Sequence, residues 1–122
     1  MGLSLVTDDT GVHVRLTGWD TVWSLRRRLD LDLHDVVSAE AVERTSAQAT
    51  IGLRLGGTYL PGRIAAGNYT VRKHRGERQF WCVRRARRVL RITTNMARPR
   101  YVVLEVDDPT RVAAELTRLV GD

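Results

Sequence analysis

The sequence predicts a single, mainly β domain in which seven strands are followed by one C-terminal α-helix. Apolar and polar residues alternate with a period of two in seven short segments, as they do in strands that bury one face. From residue 108 onward the apolar residues instead recur three and four positions apart, which is typical of an amphipathic helix. With 122 residues, of which 43% are hydrophobic and 28% charged, the chain is long enough for one globular domain with its own core.

The first three strands follow a short, partly loose lead-in over residues 1–10. Valine and leucine alternate with polar residues in GVHVRLTG, residues 11–18. LDLDLH, residues 29–34, places three leucines on one face and two aspartates and a histidine on the other. The third extended segment is DVVSAEAVERT, residues 35–45. We therefore assign residues 11–122 to one domain.

Four further strand segments follow at nearly regular spacing: residues 63–71, 77–84, 88–94 and 100–106. The connection before the second of them contains Gly76, which can adopt a positive φ in a turn. The connection before the fourth contains Pro99, which cannot donate a hydrogen bond to a strand ladder. These turn residues separate the strands.

The last predicted element is a helix over residues 109–120. Asp108 is a suitable N-cap, and Pro109 suits the first helical position, where no N–H is needed. Gly121 is expected to end the helix. The apolar stripe of the helix consists of Val112, Leu116, Leu119 and Val120. We expect this stripe to close one end of the β structure, as a lid.

The glycine-rich stretch, residues 52–69, raises the alternative of a phosphate-binding loop. Gly57 and Gly62 have the spacing of the motif G-x-x-x-x-G-K-[ST]. Arg63 and Ile64 then stand where the motif requires lysine and a hydroxyl residue. The segment that follows is predicted to be a strand, so no helix N-terminus is in place to receive an anion. We interpret the stretch as the bends of a β protein.

In this interpretation each glycine has a backbone role. Pro61 and Gly62 are typical of a type II turn. Gly67 is expected at a bulge or at a close approach of two strands. A long connection is predicted to contain Gly52, Gly56 and Gly57.

Three motifs in order resemble a group of short bacterial proteins with a pleckstrin-homology-like (PH-like) domain. They are GGTYLPGRIAAGNY (56–69), QFWCV (79–83) and YVVLEVDDP (101–109). The group shares a pattern close to G-T-x-x-P-G-x-x-x-x-G, an F-W pair, and a strand that ends in D-D-P before the last helix. The resemblance covers residues 11–120 and implies a seven-stranded barrel or sandwich of two antiparallel sheets capped by the C-terminal helix. It brings no enzymatic activity with it, and this chain departs from the pattern at CVRRARR.

The residue types that carry catalysis or bind metals occur without a second partner cluster. Asp30, Asp32 and His34 share one face of a predicted strand, where they could bind a metal or form an exposed polar face. Cys82 alternates with Phe80, so we expect a small buried residue; it has no recognisable base partner. As the only cysteine it forms no internal disulfide and suits a reducing cytoplasm. We expect a protein without catalytic residues, metal or cofactor.

The charge of the chain is distributed unevenly. Residues 51–100 carry thirteen Arg and Lys against a single Glu, whereas the segments on either side are acidic, and the total is +6. A basic middle between acidic ends favours anionic partners. The alternative is a solvated surface, since 19 of the 20 basic residues are arginine.

The arginine clusters supply the candidate ligand-binding residues. In PH-like folds the loops at the open end of the barrel commonly bind the ligand, so the resemblance makes the loop of residues 18–28 the first candidate. Its tryptophans recur with helical spacing, which favours a short helical turn, with a strand as the alternative. The candidate residues are Trp19, Trp23, Arg26, Arg27 and Arg28, together with Arg84, Arg85, Arg87 and Arg88 of the segment RRARR. Indole rings beside arginines are typical of a membrane-interface segment, and the alternative is that the rings pack inside the core.

From these observations we expect a PH-like binding or scaffold module. An unknown protein partner or self-association is the first partner class, because an unpaired strand such as YVVLEV can accept another strand. An anionic membrane surface is the second, contacted through the 18–28 loop. Nucleic acid is the weakest, because no recognition helix is evident. The expected location is the cytoplasm, with the inner face of the membrane as the peripheral alternative.

Overall fold

The computed structural model describes residues 2–8, 10–17, 28–60, 64–84, 86–97 and 99–121, which form two β-sheets and a C-terminal helix. The strands are β1 Gly2–Thr7, β2 Gly11–Thr17, β3 Arg28–Asp32, β4 Val36–Glu43, β5 Ile51–Leu60, β6 Ile64–Val71, β7 His74–Val83, β8 Arg88–Thr94 and β9 Tyr101–Leu104. The helices are α1 Arg44–Gln48 and α2 Pro109–Gly121, and a 3-10 turn covers Leu33–Asp35. Each of the seven predicted segments contains a strand, and the predicted terminal helix is α2.

The two sheets differ in size and in strand direction. The small sheet is antiparallel and has the order β1-β2-β3. The large sheet has the order β4-β8-β9-β7-β6-β5, and its β7–β9 pair is parallel. The expectation of two antiparallel sheets was therefore wrong for the large sheet. Within the described part of the chain neither sheet closes into a barrel, so the arrangement is that of a sandwich.

The position of β9 causes the parallel pair. β7 and β8 follow each other in the chain, but β9 lies between them and is antiparallel to β8. A strand antiparallel to β8 must run in the direction of β7. YVVLEV could accept another strand only if it were left unpaired, and this condition is not met, since β9 is paired on both sides. The edges of the large sheet are β4 and β5 instead.

Two segments that we did not expect to be strands are paired. Gly2–Thr7, part of the expected lead-in, forms β1 and pairs with β2, because its leucines alternate with polar residues in the same period of two. The glycines of the expected long connection lie in β5, which pairs with β6. The register shifts between Ile51 and Arg54, and again between Arg54 and Gly56, so the glycine-containing part of β5 pairs irregularly with β6. The expected Pro61–Gly62 turn lies outside the described residues.

Two expected turns are placed differently by the backbone. The chain reverses between β6 and β7 at Arg72 and Lys73, and Lys73 takes the positive φ of 68°. Gly76, expected in that turn, lies inside β7. Gly67 is buried between two neighbouring strands with φ 123°, a conformation that favours glycine, which agrees with the expected close approach.

The third extended segment ends at Glu43, because α1 begins at Arg44.

The hydrophobic residues form a core on each face of the large sheet. The first core lies between the two sheets and α2, and it contains Leu116, which is fully buried. The second core lies on the opposite face, around Trp81 and Tyr69, whose rings meet edge to face. Cys82 is buried in the first core, as expected. The expectation for α2 is met in its capping as well, since Asp108 accepts a hydrogen bond from the Arg111 N–H at 3.1 Å.

The connection from β4 to β5 passes through the second core. In a flat sheet five strand spacings of about 4.8 Å would separate these two edges by about 24 Å. The chain from Glu43 to Ile51 reaches only about 17 Å when α1 is helical. The large sheet must therefore curl around α1, whose Ala47 is fully buried. The start of α1 lies next to the connection between β7 and β8 because the β4–β8 ladder pairs Glu43 with Arg88.

Candidate functional site

Some of the predicted site residues lie outside the residues that the structure describes, and the others lie inside them. Those outside the described residues are Trp19, Trp23, Arg26, Arg27 and Arg85. Those inside are Arg28, Arg84, Arg87 and Arg88. Arg28 opens β3 in the small sheet, 3.8 Å from the carboxylate of Asp30. Arg84 and Arg87 belong to the connection between β7 and β8, and Arg88 is the first residue of β8 in the large sheet. The described members of the two clusters therefore lie on different sheets.

Arg84, Ala86, Arg87 and Arg88, which we call the arginine arch, lead from the end of β7 past the end of β9 to the start of β8. Because β9 separates β7 from β8, the arch spans two strand spacings, about 10 Å, and not the single spacing of a hairpin. Glu105 follows β9 directly and lies under the arch. Its Oε1 accepts hydrogen bonds from the backbone N–H groups of Arg84 and Ala86, each at 2.9 Å. A carboxylate thus holds the backbone of the arch on the end of the interposed strand.

Arg44, at the start of α1, holds the arch from a second direction. Its backbone N–H donates to the Arg87 carbonyl at 2.6 Å, and its Nη1 donates to the Arg84 carbonyl at 2.7 Å. The residue is 7% exposed, and its Nε and Nη2 have no hydrogen-bond partner. The sequence analysis did not single out Arg44. Arg44 lies at the end of a predicted strand, and nothing in the sequence there distinguishes a buried arginine from a solvated one.

The arginine side chains at the far end of the arch face solvent. Arg87 and Arg88 are both exposed. Arg88 lies 3.7 Å from the Glu43 carboxylate, and its Nη2 is 3.5 Å from the Ala41 carbonyl. A surface ion pair of this length contributes little to stability. The arch therefore combines a fixed backbone with exposed positive side chains that are only partly neutralised.

A second polar cluster lies on the exposed face of the small sheet. His13 Nδ1 is 2.8 Å from Asp30 Oδ1, which also accepts a hydrogen bond from Arg15 at 2.9 Å. The hydrogen bond to Asp30 raises the pKa of His13, and the same bond, with that from Arg15, lowers the pKa of Asp30. Hydrogen bonds from the Thr10 hydroxyl and N–H lower the pKa of Asp8 to about 2. This cluster ties the turn between β1 and β2 to β3.

Thr10, His13 and Asp30 have the order of a nucleophilic triad, hydroxyl, imidazole and carboxylate. The Thr10 hydroxyl is 2.5 Å from Asp8 Oδ1 and 3.2 Å from His13 Nε2. Because the ionised carboxylate is only an acceptor, the hydroxyl proton points to Asp8 and not to the imidazole. The geometry is that of a charge network, without the directed proton that activates a nucleophile.

The predicted trio of Asp30, Asp32 and His34 does not converge. Asp30 bonds to His13, whereas Asp32 accepts hydrogen bonds from the backbone N–H of His34 at 2.9 Å and approaches its Nδ1 at 2.8 Å. The backbone N–H of His34 is the main cause that lowers the pKa of Asp32. Among the described residues, no group of three or more potential ligands could hold a metal ion.

A cleft of about 210 Å³ lies beside the start of α2. Its lining includes Leu5, Val106 and Val112, together with the charged residues Glu105, Asp107, Asp108 and Arg111. Glu105 is thus shared between this cleft and the arginine arch. The other two acidic residues make the cleft unsuitable for an anion.

Comparison with known proteins places the chain in no group. No family model matches it, and neither a curated protein nor a solved structure matches it. In the described part of the chain, no helix is long and apolar enough to cross a membrane.

Proposed function

We propose that the chain is a PH-like binding module without catalytic activity, and that the arginine arch binds an acidic surface of a partner protein. The PH-like assignment rests on the three motifs described above and is supported by the two sheets followed by a C-terminal helix. The observation that carries the binding proposal is the anchoring of the arch from below by Glu105 and from the side by Arg44.

The anchoring matters because binding is weakened by every group that must become ordered in the complex. Two hydrogen bonds that Glu105 accepts and two that Arg44 donates fix the backbone of the arch before a partner arrives. Among the described residues, the exposed side chains of Arg87 and Arg88 then remain to be ordered. A loop fixed in this way favours a partner with acidic groups at defined positions.

The side-chain chemistry supports an acidic protein surface. A guanidinium group binds a carboxylate through two parallel hydrogen bonds, and arginine is enriched in protein interfaces. Glu43 lies 3.7 Å from Arg88, and Glu105 Oε1 accepts hydrogen bonds from the backbone N–H groups of Arg84 and Ala86. Exposed positive charge on Arg87 and Arg88 is therefore available to a partner.

Three alternatives use other parts of the chain. An anionic membrane surface would be contacted through the 18–28 loop, with Trp19 and Trp23 at the depth of the lipid headgroups. Self-association would use β4 or β5, the two edges of the large sheet. Nucleic acid would be attracted by charge alone, and its affinity would fall steeply with salt.

The proposal is tested with a labelled peptide of ten glutamates as the probe for an acidic protein surface. The test variant is Arg87→Ser combined with Arg88→Ser. The matched control is Arg111→Ser combined with Arg118→Ser, two exposed arginines of α2. In each pair one arginine forms a surface ion pair, and both pairs lower the net charge by the same amount.

We expect the arch variant to bind the peptide at least about tenfold more weakly than the wild type, and the control to bind almost as well as the wild type. An equal loss in both variants would mean that only net charge attracts the peptide, and the proposal would fail. Vesicles of phosphatidylglycerol and of phosphatidylcholine form a second arm. Binding to the anionic vesicles alone, with a blue shift of tryptophan fluorescence, would favour the membrane alternative.

A further inference from the structure

The imidazole ring of His13 lies between two carboxylates from different segments of the small sheet. Its Nδ1 is 2.8 Å from Asp30 Oδ1 on β3, and its Nε2 is 3.5 Å from Asp8 Oδ1 in the turn between β1 and β2. The Thr10 hydroxyl of the same turn is 3.2 Å from Nε2. The ring, which projects from β2, therefore connects the turn with β3.

The ring satisfies both sides only when it carries two protons. A protonated imidazole donates from both nitrogens, whereas a neutral one has a single N–H and one lone pair. A lone pair at Nδ1 would face Asp30 Oδ1, and a lone pair at Nε2 would face Asp8 Oδ1 and the Thr10 oxygen. Because the contact with Asp30 is the shorter one, the remaining proton stays on Nδ1. The turn is then the side that loses its donor.

The charged groups around the ring favour the protonated form. Asp8 faces the ring from the turn and Asp30 from β3, whereas Val6, its neighbour on β1, is uncharged. Arg15 of β2 and Arg28 of β3 approach the Asp30 carboxylate at 2.9 Å and 3.8 Å. The hydrogen bond to Asp30 is the main cause that raises the pKa of the imidazole, and the charge of Asp8 contributes as well. Both carboxyl groups have lowered pKa values, so they stay ionised where the ring titrates.

β1 is the element whose attachment depends on this turn. Among the described strands it pairs with β2 alone, so it is an edge strand. Leu5 packs against the first core and lines the cleft beside α2, and the Thr7 hydroxyl donates to Glu115 Oε1 of α2 at 3.2 Å. Terminal strands with few buried side chains open more readily than the centre of a sheet. A weaker hold on the turn therefore acts first on β1.

We infer that His13, together with Asp8, Thr10 and Asp30, is a pH-sensitive clasp that controls the opening of β1. With protons on both ring nitrogens, the clasp joins the turn to β3 and keeps β1 closed against α2. When the ring loses one proton, the turn is released and β1 opens more often, which exposes Leu5 and the wall of the cleft. The inference goes beyond the proposed function, because it concerns the small sheet and not the arginine arch.

The experiment measures amide hydrogen exchange of the wild type at about pH 6 and about pH 8.5, with each rate divided by the intrinsic rate at that pH. The clasp is complete below about pH 6.5 and is lost as the pH rises through the raised pKa of His13. We expect the protection of the β1 amides to fall at least about threefold relative to that of the β8 amides, since one exposed ion pair shifts an equilibrium only a few-fold.

Two variants locate the titrating group. His13→Gln has no proton to lose, so the protection of its β1 amides relative to β8 should be low at both pH values. The matched control is His34→Gln. His34 Nδ1 also lies 2.8 Å from a carboxylate, that of Asp32, but the two residues are neighbours in the chain and connect no separate segments. This control should retain the pH dependence of the wild type.

A second measurement uses the wild type alone and applies even if His13→Gln does not fold. The midpoint of the His13 ring titration, followed by NMR, should coincide with the midpoint of the change in β1 protection. The inference is wrong if the protection of β1 relative to β8 does not change with pH, or if the two midpoints differ. It is also wrong if His13→Gln keeps the pH dependence or if His34→Gln removes it.

Discussion

The replacement Glu105→Gln tests directly whether the anchored arch matters for binding. Glu105 Oε1 accepts the N–H groups of Arg84 and Ala86 at 2.9 Å each. Glutamine keeps the shape and one acceptor oxygen but loses the negative charge. A hydrogen bond to a charged group contributes about 1.5–3 kcal/mol, and a neutral one about 0.5–1.5 kcal/mol. Two bonds would therefore lose about 2–3 kcal/mol if Glu105 were fully buried.

Because Glu105 is only partly buried, we expect a smaller loss in the free energy of unfolding, about 1–2 kcal/mol. Urea denaturation measures this loss. Amide hydrogen exchange then locates this loss. In the variant, the exchange of the Arg84 and Ala86 amides should accelerate relative to the wild type more than that of the amides in the centre of β7. The control is Glu115→Gln on α2, which makes the same change in charge away from the arch.

The sign of the effect on binding is what makes the test decisive. The variant raises the net charge of the chain by one, so attraction by charge alone predicts tighter binding of the glutamate peptide. A loss of the fixed arch predicts weaker binding in spite of the added charge. Unchanged exchange of the two amides, or binding that increases as in Glu115→Gln, would refute our account of the arch.

Three further outcomes follow from the packing and from the polar clusters. Leu116→Ala should lower the free energy of unfolding by about 2–5 kcal/mol, because Leu116 is fully buried; a loss below about 0.5 kcal/mol in urea denaturation would contradict its place in the core. Gln79→Leu should cost about 2–5 kcal/mol in the same assay, because it leaves the Trp81 N–H and two backbone carbonyls without their buried partner; a neutral result would argue against that network. His13→Gln should destabilise the chain most between about pH 4 and pH 6.5, and the difference from wild type in Tm should shrink towards pH 9. The raised pKa of His13 gives stability that is lost as pH rises through it, and the lowered pKa of Asp30 gives stability that is lost as pH falls through it. A difference that does not change with pH would contradict the ion pair.

The period of two was sufficient to locate most strands, because one buried face leaves a direct trace in the sequence. It failed at β5, where glycines interrupt the alternation and irregular pairing restores the ladder. It also gave no information on strand order. The insertion of β9 between β7 and β8 depends on which of the alternating strands pair with each other, which no local pattern records.

The candidate site was predictable only in part, for a related reason. Crowded arginines mark residues 84–88 in the sequence, and the structure describes three of them. The two residues that hold the arch, Arg44 and Glu105, come from other segments. Arg44 reaches it through the pairing of β4 with β8, and Glu105 through the position of β9. The sequence does not distinguish a buried arginine from a solvated one, so the burial of Arg44 is evident only in the folded structure.

The position of β9 has a consequence for the newly made chain. During synthesis β7, the arch and β8 emerge before Tyr101–Leu104, and the acceptor on Glu105 emerges later still. Until then the basic residues are present on a loop without its support, and the gap between β7 and β8 is unfilled. The parallel pairing of β7 with β9, which spans the whole of β8 in the chain, is the less local of the two pairings that fill this gap and is expected to form more slowly. The proposed binding surface is therefore completed late, and a chain truncated before β9 would retain the arginines but not their arrangement.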